Sequence, residues 1–187
     1  MSGFVNVGFI YNIDISPPSE VLTKVIQKLL PENEVSVTIK YAIDEEGEEW
    51  IEKETSQIDE SSIQEIISGY YGELSVRNAS LLATNHDITI TFENTDEYFG
   101  ILISIEEESL IPKYDIRDLQ RASTLLTSFA KQIFQEVNFA YAFTDHEAEI
   151  LYPLDEKKYS IVFVPDEHSQ LKVIENAWHI NGLTMRK

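Results

Sequence analysis

From residue 5 to residue 13 the chain alternates: Val5, Val7, Phe9, Tyr11 and Ile13 share one face, with Asn6, Gly8 and Asn12 on the other. A period of two in β-branched and aromatic residues predicts a half-buried strand. Ser16-Pro17-Pro18-Ser19 then predicts a helix start, with Ser16 as N-cap and Pro17 at the first helical position, where its missing N–H is not needed. Val21, Leu22, Val25, Ile26, Leu29 and Leu30 give that helix its apolar face, and Pro31 stops it. Val35, Val37, Ile39, Tyr41 and Ile43 alternate again, so the opening is strand, helix, strand.

A turn around Gly47 leads into a second hairpin strand over 49–54, with Trp50, Glu52 and Glu54 on one face and Ile51 and Lys53 on the other. Asp59 is placed to cap a short helix, with Ile58 and Ile63 as a hydrophobic staple across the cap. Ile63, Ile66, Ile67 and Tyr70 form that helix's apolar stripe, and Gly69 and Gly72 close it. Strands over 74–82, 87–93 and 98–106 follow, joined by turns at Asn85-His86-Asp87 and Asn94-Thr95-Asp96, which makes an antiparallel meander. The longest helix starts at Asp115 and carries Ile116, Leu119, Ala122, Leu126, Phe129, Ile133 and Val137 on one stripe. Short strands over 139–143, 148–152, 159–164 and 171–178 complete the chain, two of them bounded by Pro153 and Pro165. The pattern predicts one α+β domain over 1–187, a mostly antiparallel sheet with about three helices packed against it. The only competing boundary is Ser109-Leu110-Ile111-Pro112.

Charge changes this picture. Nine of the seventeen residues from Asp44 to Glu60 are acidic (Asp44, Glu45, Glu46, Glu48, Glu49, Glu52, Glu54, Asp59 and Glu60), and within that stretch only Lys53 opposes them. The chain as a whole carries a formal −19 with a pI near 4.4. Acidity spread over a surface serves solubility; a local block is a surface that basic partners find and nucleic acids or anionic membranes repel. Phosphate-backbone binding needs Lys and Arg, and the long helix mixes Arg117, Arg121 and Lys131 with Asp115, Asp118 and Glu136. The Met185-Arg186-Lys187 tail is too short for a basic arm. Without cysteine, disulfides, thiolate metal sites and a cysteine nucleophile are excluded. No signal peptide and no membrane-length apolar run is recognisable, so the expected location is the cytoplasm.

Catalytic motifs do not emerge. The seven glycines form no phosphate loop, Ser68-Gly69 sits at a helix end rather than on a nucleophile elbow, and no two of His86, His146, His168 and His179 have zinc spacing. Asp145-His146-Glu147 with Glu149 is the densest ligand group, read here as a solvated turn between strands. Glu106-Glu107-Glu108 reads as a solvated strand end rather than a calcium loop. No cofactor is expected. Trp50, amid the acids, is either a desolvated anchor for a partner or a plug in the local core.

A small, acidic, cysteine-free α+β chain without catalytic motifs resembles the immunity proteins of bacterial polymorphic toxin systems. The resemblance is carried by the opening strand Phe4-Val5-Asn6-Val7-Gly8-Phe9-Ile10-Tyr11, the meander and the long helix from Asp115. It implies a stoichiometric inhibitor, not an enzyme, that covers the active site of a cognate toxin domain, often a nuclease with a basic cleft. Asp44, Glu45, Glu46, Glu48, Glu49, Trp50 and Glu52 are the expected contact residues, with Asp96, Glu97, Tyr98 and the 106–108 glutamates joining them if the strands bring those edges together. Two other readings compete: a small-ligand protein or enzyme with a pocket between helices and sheet around Tyr70, Tyr71 and His86, and a mimic of nucleic acid by spaced carboxylates.

Overall fold

The computed structural model describes residues 3–30, 36–82 and 84–184; Pro31, Val35 and the Met185-Arg186-Lys187 tail lie outside them. In chain order the first elements are β1 (Phe4–Tyr11), α1 (Pro18–Leu29), β2 (Val37–Ala42), β3 (Trp50–Thr55), α2 (Glu60–Ser68), β4 (Tyr71–Leu81) and β5 (Thr84–Asn94). Then come β6 (Phe99–Glu106), α3 (Glu107–Leu110), α4 (Ile116–Glu136), β7 (Tyr141–His146), β8 (Ile161–Pro165) and β9 (Leu171–Glu175). The class is α+β with antiparallel strands, as the alternation predicts, and the single turn α3 adds to the three predicted helices. Contacts gather into two compact units, one of Tyr11–Ile101 and one of Met1–Ile10 with Leu102–Lys187, so the chain passes between them within β1 and β6.

In the Tyr11–Ile101 unit the strands run β3-β2-β4-β5 and on into the first residues of β6. Val37, Ile39 and Tyr41 of β2 point inward with Leu74 and Val76 of β4 and Ile88, Ile90 and Phe92 of β5. Helix α1 packs on β4, and α2 on β2 and β4. Asp59 caps α2 as predicted, its carboxylate accepting the Ser62 N–H at 2.8 Å. Ser16 does not cap α1. Its own N–H is drawn into a turn onto the Asn12 carbonyl, and the helix begins at Pro18 with Pro17 in the cap position. Tyr70 leaves the α2 stripe because the chain turns out at Gly69, and the Tyr70 N–H binds the Ala42 carbonyl instead.

The predicted turn at Asn85-His86-Asp87 lies inside β5. A bulge between Val76 and Ala79 accounts for this: Asn78 takes φ 59° and its N–H is held by Asp87 at 2.8 Å. The ladder restarts with Ala79 opposite His86, which buries the imidazole.

In the other unit the order is β6-β1-β7-β8-β9. Strand β1 is buried on both faces, not half-buried. On one side Phe9 packs edge-on against Phe129 of α4, centroids 6.0 Å apart. On the other, Gly8 lies under the Phe143 ring, where a Cβ would sit 2.2 Å from ring carbons, and Phe143 stacks on Tyr159 at 3.8 Å. Asn6 is buried but satisfied, donating to Ser104 Oγ at 2.8 Å and accepting from the Ala148 N–H at 2.9 Å. Helix α4 is capped by Asp115 and buries Leu119, Ala122, Leu126, Phe129 and Ile133; Ile116, ahead of the first inward turn, stays exposed.

The predicted strand over 148–152 is absent. Its backbone groups find side chains rather than a ladder: Tyr159 Oη donates to the Glu149 carbonyl and accepts the Leu151 N–H, both at 2.9 Å, and Tyr141 Oη donates to the Leu151 carbonyl. The final strand stops at Glu175, and Trp178 turns in to donate its indole N–H to Ser123 of α4.

Candidate functional site

The acidic block folds as the β2–β3 hairpin. Asp44 builds its turn: one carboxylate oxygen accepts the Glu48 N–H at 2.9 Å and the other the Glu49 N–H at 2.5 Å. Those two backbone hydrogen bonds hold the Asp44 carboxyl below the ordinary aspartate range. Gly47 sits in the turn at φ 69°, a left-handed conformation that costs glycine little. Asp44 therefore acts on its own backbone, while Glu45, Glu46, Glu48 and Glu49 project into solvent around it.

Trp50 does not plug the core. It is 49% exposed, and its indole N–H donates to the Gly47 carbonyl at 2.8 Å, which fixes the ring against the turn. The register puts Trp50 opposite Ala42, Glu52 opposite Lys40 and Glu54 opposite Thr38, all on the outward face of β2 and β3. Glu52 reaches the Lys40 ammonium at 3.4 Å. Lys53 faces the other way, at 2.5 Å from Glu65 on α2, so it does not offset the outward carboxylates. The Glu65 carboxylate raises the Lys53 pKa by its hydrogen bond.

The same outward face continues across β4 and β5. Lys40 lies opposite Glu73, and the antiparallel register carries Tyr71 to the row of Ala42 and Trp50. Opposite Tyr71 on β5 is Glu93, whose carboxylate accepts the Tyr98 hydroxyl at 2.7 Å. Tyr71 is 46% exposed, and its ring edge lies 3.8 Å from where a Cβ on Gly47 would sit. The structure thus unites Glu45, Glu46, Glu48, Glu49, Trp50 and Glu52 on one surface and adds Tyr71, Glu73 and Glu93. Of these three additions, only Glu93 fell within a strand predicted from the sequence; β4 starts at Tyr71 rather than at Leu74, which brings Tyr71 and Glu73 into the ladder, and the register that aligns them with Trp50 was not legible. Tyr98 joins this surface through Glu93, whereas Asp96 and Glu97 sit exposed in the β5–β6 turn.

The remaining candidates resolve otherwise. Glu107 is not a solvated strand end: it is 6% exposed, with Oε2 at 2.8 Å from His146 Nε2. Nor do Asp145, His146 and Glu147 form a solvated turn. Asp145 is buried and accepts the Ser160 hydroxyl, and Glu147 accepts the Phe4 N–H at 2.7 Å. An open cleft of about 510 Å³ lies beside them, but among the described residues no three His, Cys, Asp or Glu side chains are placed to hold a metal. A second open cleft, of about 610 Å³, runs between α1 and α2, lined by Glu20, Lys24, Gln27, Ile58, Ile63 and other side chains. Tyr71 and His86 do not share a pocket, since they belong to opposite ends of the β4–β5 ladder. Burial lowers the His86 pKa and favours a neutral ring, bonded to Thr84 Oγ1 at 2.8 Å.

Among the described residues no helix is long and apolar enough to cross a membrane. No curated protein and no solved structure matches the chain. One family does: the model described as Immunity protein 64 matches residues 4–186, and with nearly its whole length covered this chain belongs to that family of immunity proteins.

Proposed function

We propose that this immunity protein neutralises a cognate toxin domain by binding it through the β2–β3 hairpin and covering its active site, with no chemistry of its own. The observation that carries this is the turn itself: Asp44 holds four glutamates outward around a half-exposed Trp50 fixed by its bond to Gly47. Charges at the rim steer a partner and set orientation, while a desolvated aromatic supplies affinity. The fitting partner is a toxin with a basic active-site cleft, a nuclease being the chemical example, met in the cytoplasm of the cell that makes both.

The test is co-expression with the cognate toxin domain, sought first in the neighbouring reading frames. Wild-type protein is expected to restore growth and to co-purify in equal amount. A Glu46→Lys, Glu48→Lys, Glu49→Lys variant, all at exposed turn positions and therefore folded by circular dichroism, is expected to lose both. Undiminished capture by that variant overturns the acidic-turn interface.

A further inference from the structure

We infer that the outward face of β3, β2 and β4 recognises arginine side chains on a basic protein partner, with Trp50 and Tyr71 as the platform on which a guanidinium stacks. The inference deepens the proposed toxin-binding reading and rests on it only for the partner being a protein. Trp50, Ala42 and Tyr71 occupy one cross-strand row, so the two aromatics flank the smallest side chain of the row. Neighbouring strands lie roughly 4.8 Å apart, which puts the two aromatic Cβ atoms about 10 Å from each other across Ala42. Both rings come back to Gly47, Trp50 by its N–H bond to the carbonyl and Tyr71 by contact near 3.8 Å with the Cβ position. Gly47 adds no side chain beside the rings.

The carboxylates around the platform select the sign of the occupant. Glu93 follows Tyr71 along the row, and its bond from Tyr98 fixes its direction. Glu52 and Glu73 flank Lys40 one row further, and Glu54 follows on β3. Four glutamates against Lys40, with Arg77 at the far end of the outward row of β4, leave the face negative. An aromatic face bordered by carboxylates suits a cation, and a planar guanidinium can stack on a ring while its edge N–H groups reach two carboxylates. An ammonium has no planar face to stack and is more strongly hydrated, so the arrangement discriminates arginine from lysine.

The probes are a hexa-arginine and a hexa-lysine peptide, equal in charge and capped at both ends, titrated against the intact protein while Trp emission is followed. Trp50 dominates the response because Trp178 is buried. The arginine peptide is expected to bind about five- to tenfold more tightly and to shift the emission. Read by calorimetric titration, since Trp50→Leu removes the emission reporter, Tyr71→Ser and Trp50→Leu are expected to remove the preference while leaving lysine-peptide binding nearly unchanged, and Tyr71→Phe to keep it. Equal affinity for the two peptides, or a preference that survives both aromatic substitutions, overturns the inference. The turn-reversal variant separates this from the toxin-binding reading. Reversal weakens both peptides alike, so loss of toxin capture on reversal without any arginine preference leaves that reading standing and removes this one. An arginine preference beside toxin capture that ignores reversal does the opposite.

Discussion

Asp44 shows how one residue in an acidic block differs from its neighbours. Its two oxygens are used by the Glu48 and Glu49 N–H groups, whereas the glutamates beside it lie free on the surface of the turn. Because hydrogen bonding to the ionised form depresses the folded pKa, the turn is stabilised fully above the ordinary aspartate pKa of about 3.9 and loses this support as pH falls through the lower folded value. Asp44→Asn keeps one acceptor oxygen and gives up the other. Amide exchange at Glu48 and Glu49 should therefore be faster in the variant than in wild type at pH 6. As pH falls through the lowered pKa of wild-type Asp44 and the carboxyl takes up its proton, the two proteins should converge. A difference that persists unchanged at low pH would show that the carboxylate charge plays no part in the turn.

At the scale of elements, the 147–152 segment is held by two tyrosines rather than by a strand partner. Tyr159 is fully packed against Phe143, and its hydroxyl satisfies two backbone groups of the segment. Tyr159→Phe keeps the stack and removes both bonds, at a cost of about 1–3 kcal/mol for the backbone groups left without partners. The expected result is a lower urea midpoint with loss of exchange protection at the Leu151 amide, and no change at the amides of α4.

These elements also show what could be read in advance. Helices α2 and α4 were legible because an aspartate cap and a 3.6-residue stripe lie within a few residues of each other. Strand β1 was legible as a strand, but the polar look of Asn6 and Gly8 concealed that both are buried, since Ser104 and Phe143, which accommodate them, are about a hundred residues or more away in sequence. The β4–β5 ladder was misread at His86 because the bulge at Asn78 depends on Asp87 across the strand pair. The candidate site divides likewise: the hairpin glutamates are contiguous and stood out, while Tyr71, Glu73 and Glu93 join them only through cross-strand register.

For the molecule as a whole, the formal −19 is divided unevenly between the two units. The Tyr11–Ile101 unit has nineteen acidic against five basic residues, a formal −14; the other has fourteen against nine, a formal −5. If net charge alone drew a basic partner, acids could be exchanged anywhere with equal effect. Screening argues otherwise, because at about 0.15 M salt the Debye length is roughly 8 Å and charges further from the contact are largely hidden. A local mechanism then makes a kinetic prediction. Glu46→Lys, Glu48→Lys, Glu49→Lys and a control in the other unit, Glu156→Lys, Glu167→Lys, Glu175→Lys, change the total charge equally, and all six positions are exposed. Stopped-flow association with the cognate toxin domain should slow at least about tenfold for the turn variant and less than about twofold for the control, with the gap widening at low salt. Association rates in wild type should also fall as salt rises, while dissociation, set by Trp50 and its surroundings, stays nearly constant. Equal slowing by the two triple variants would assign the effect to the overall charge and remove the hairpin's special role in encounter.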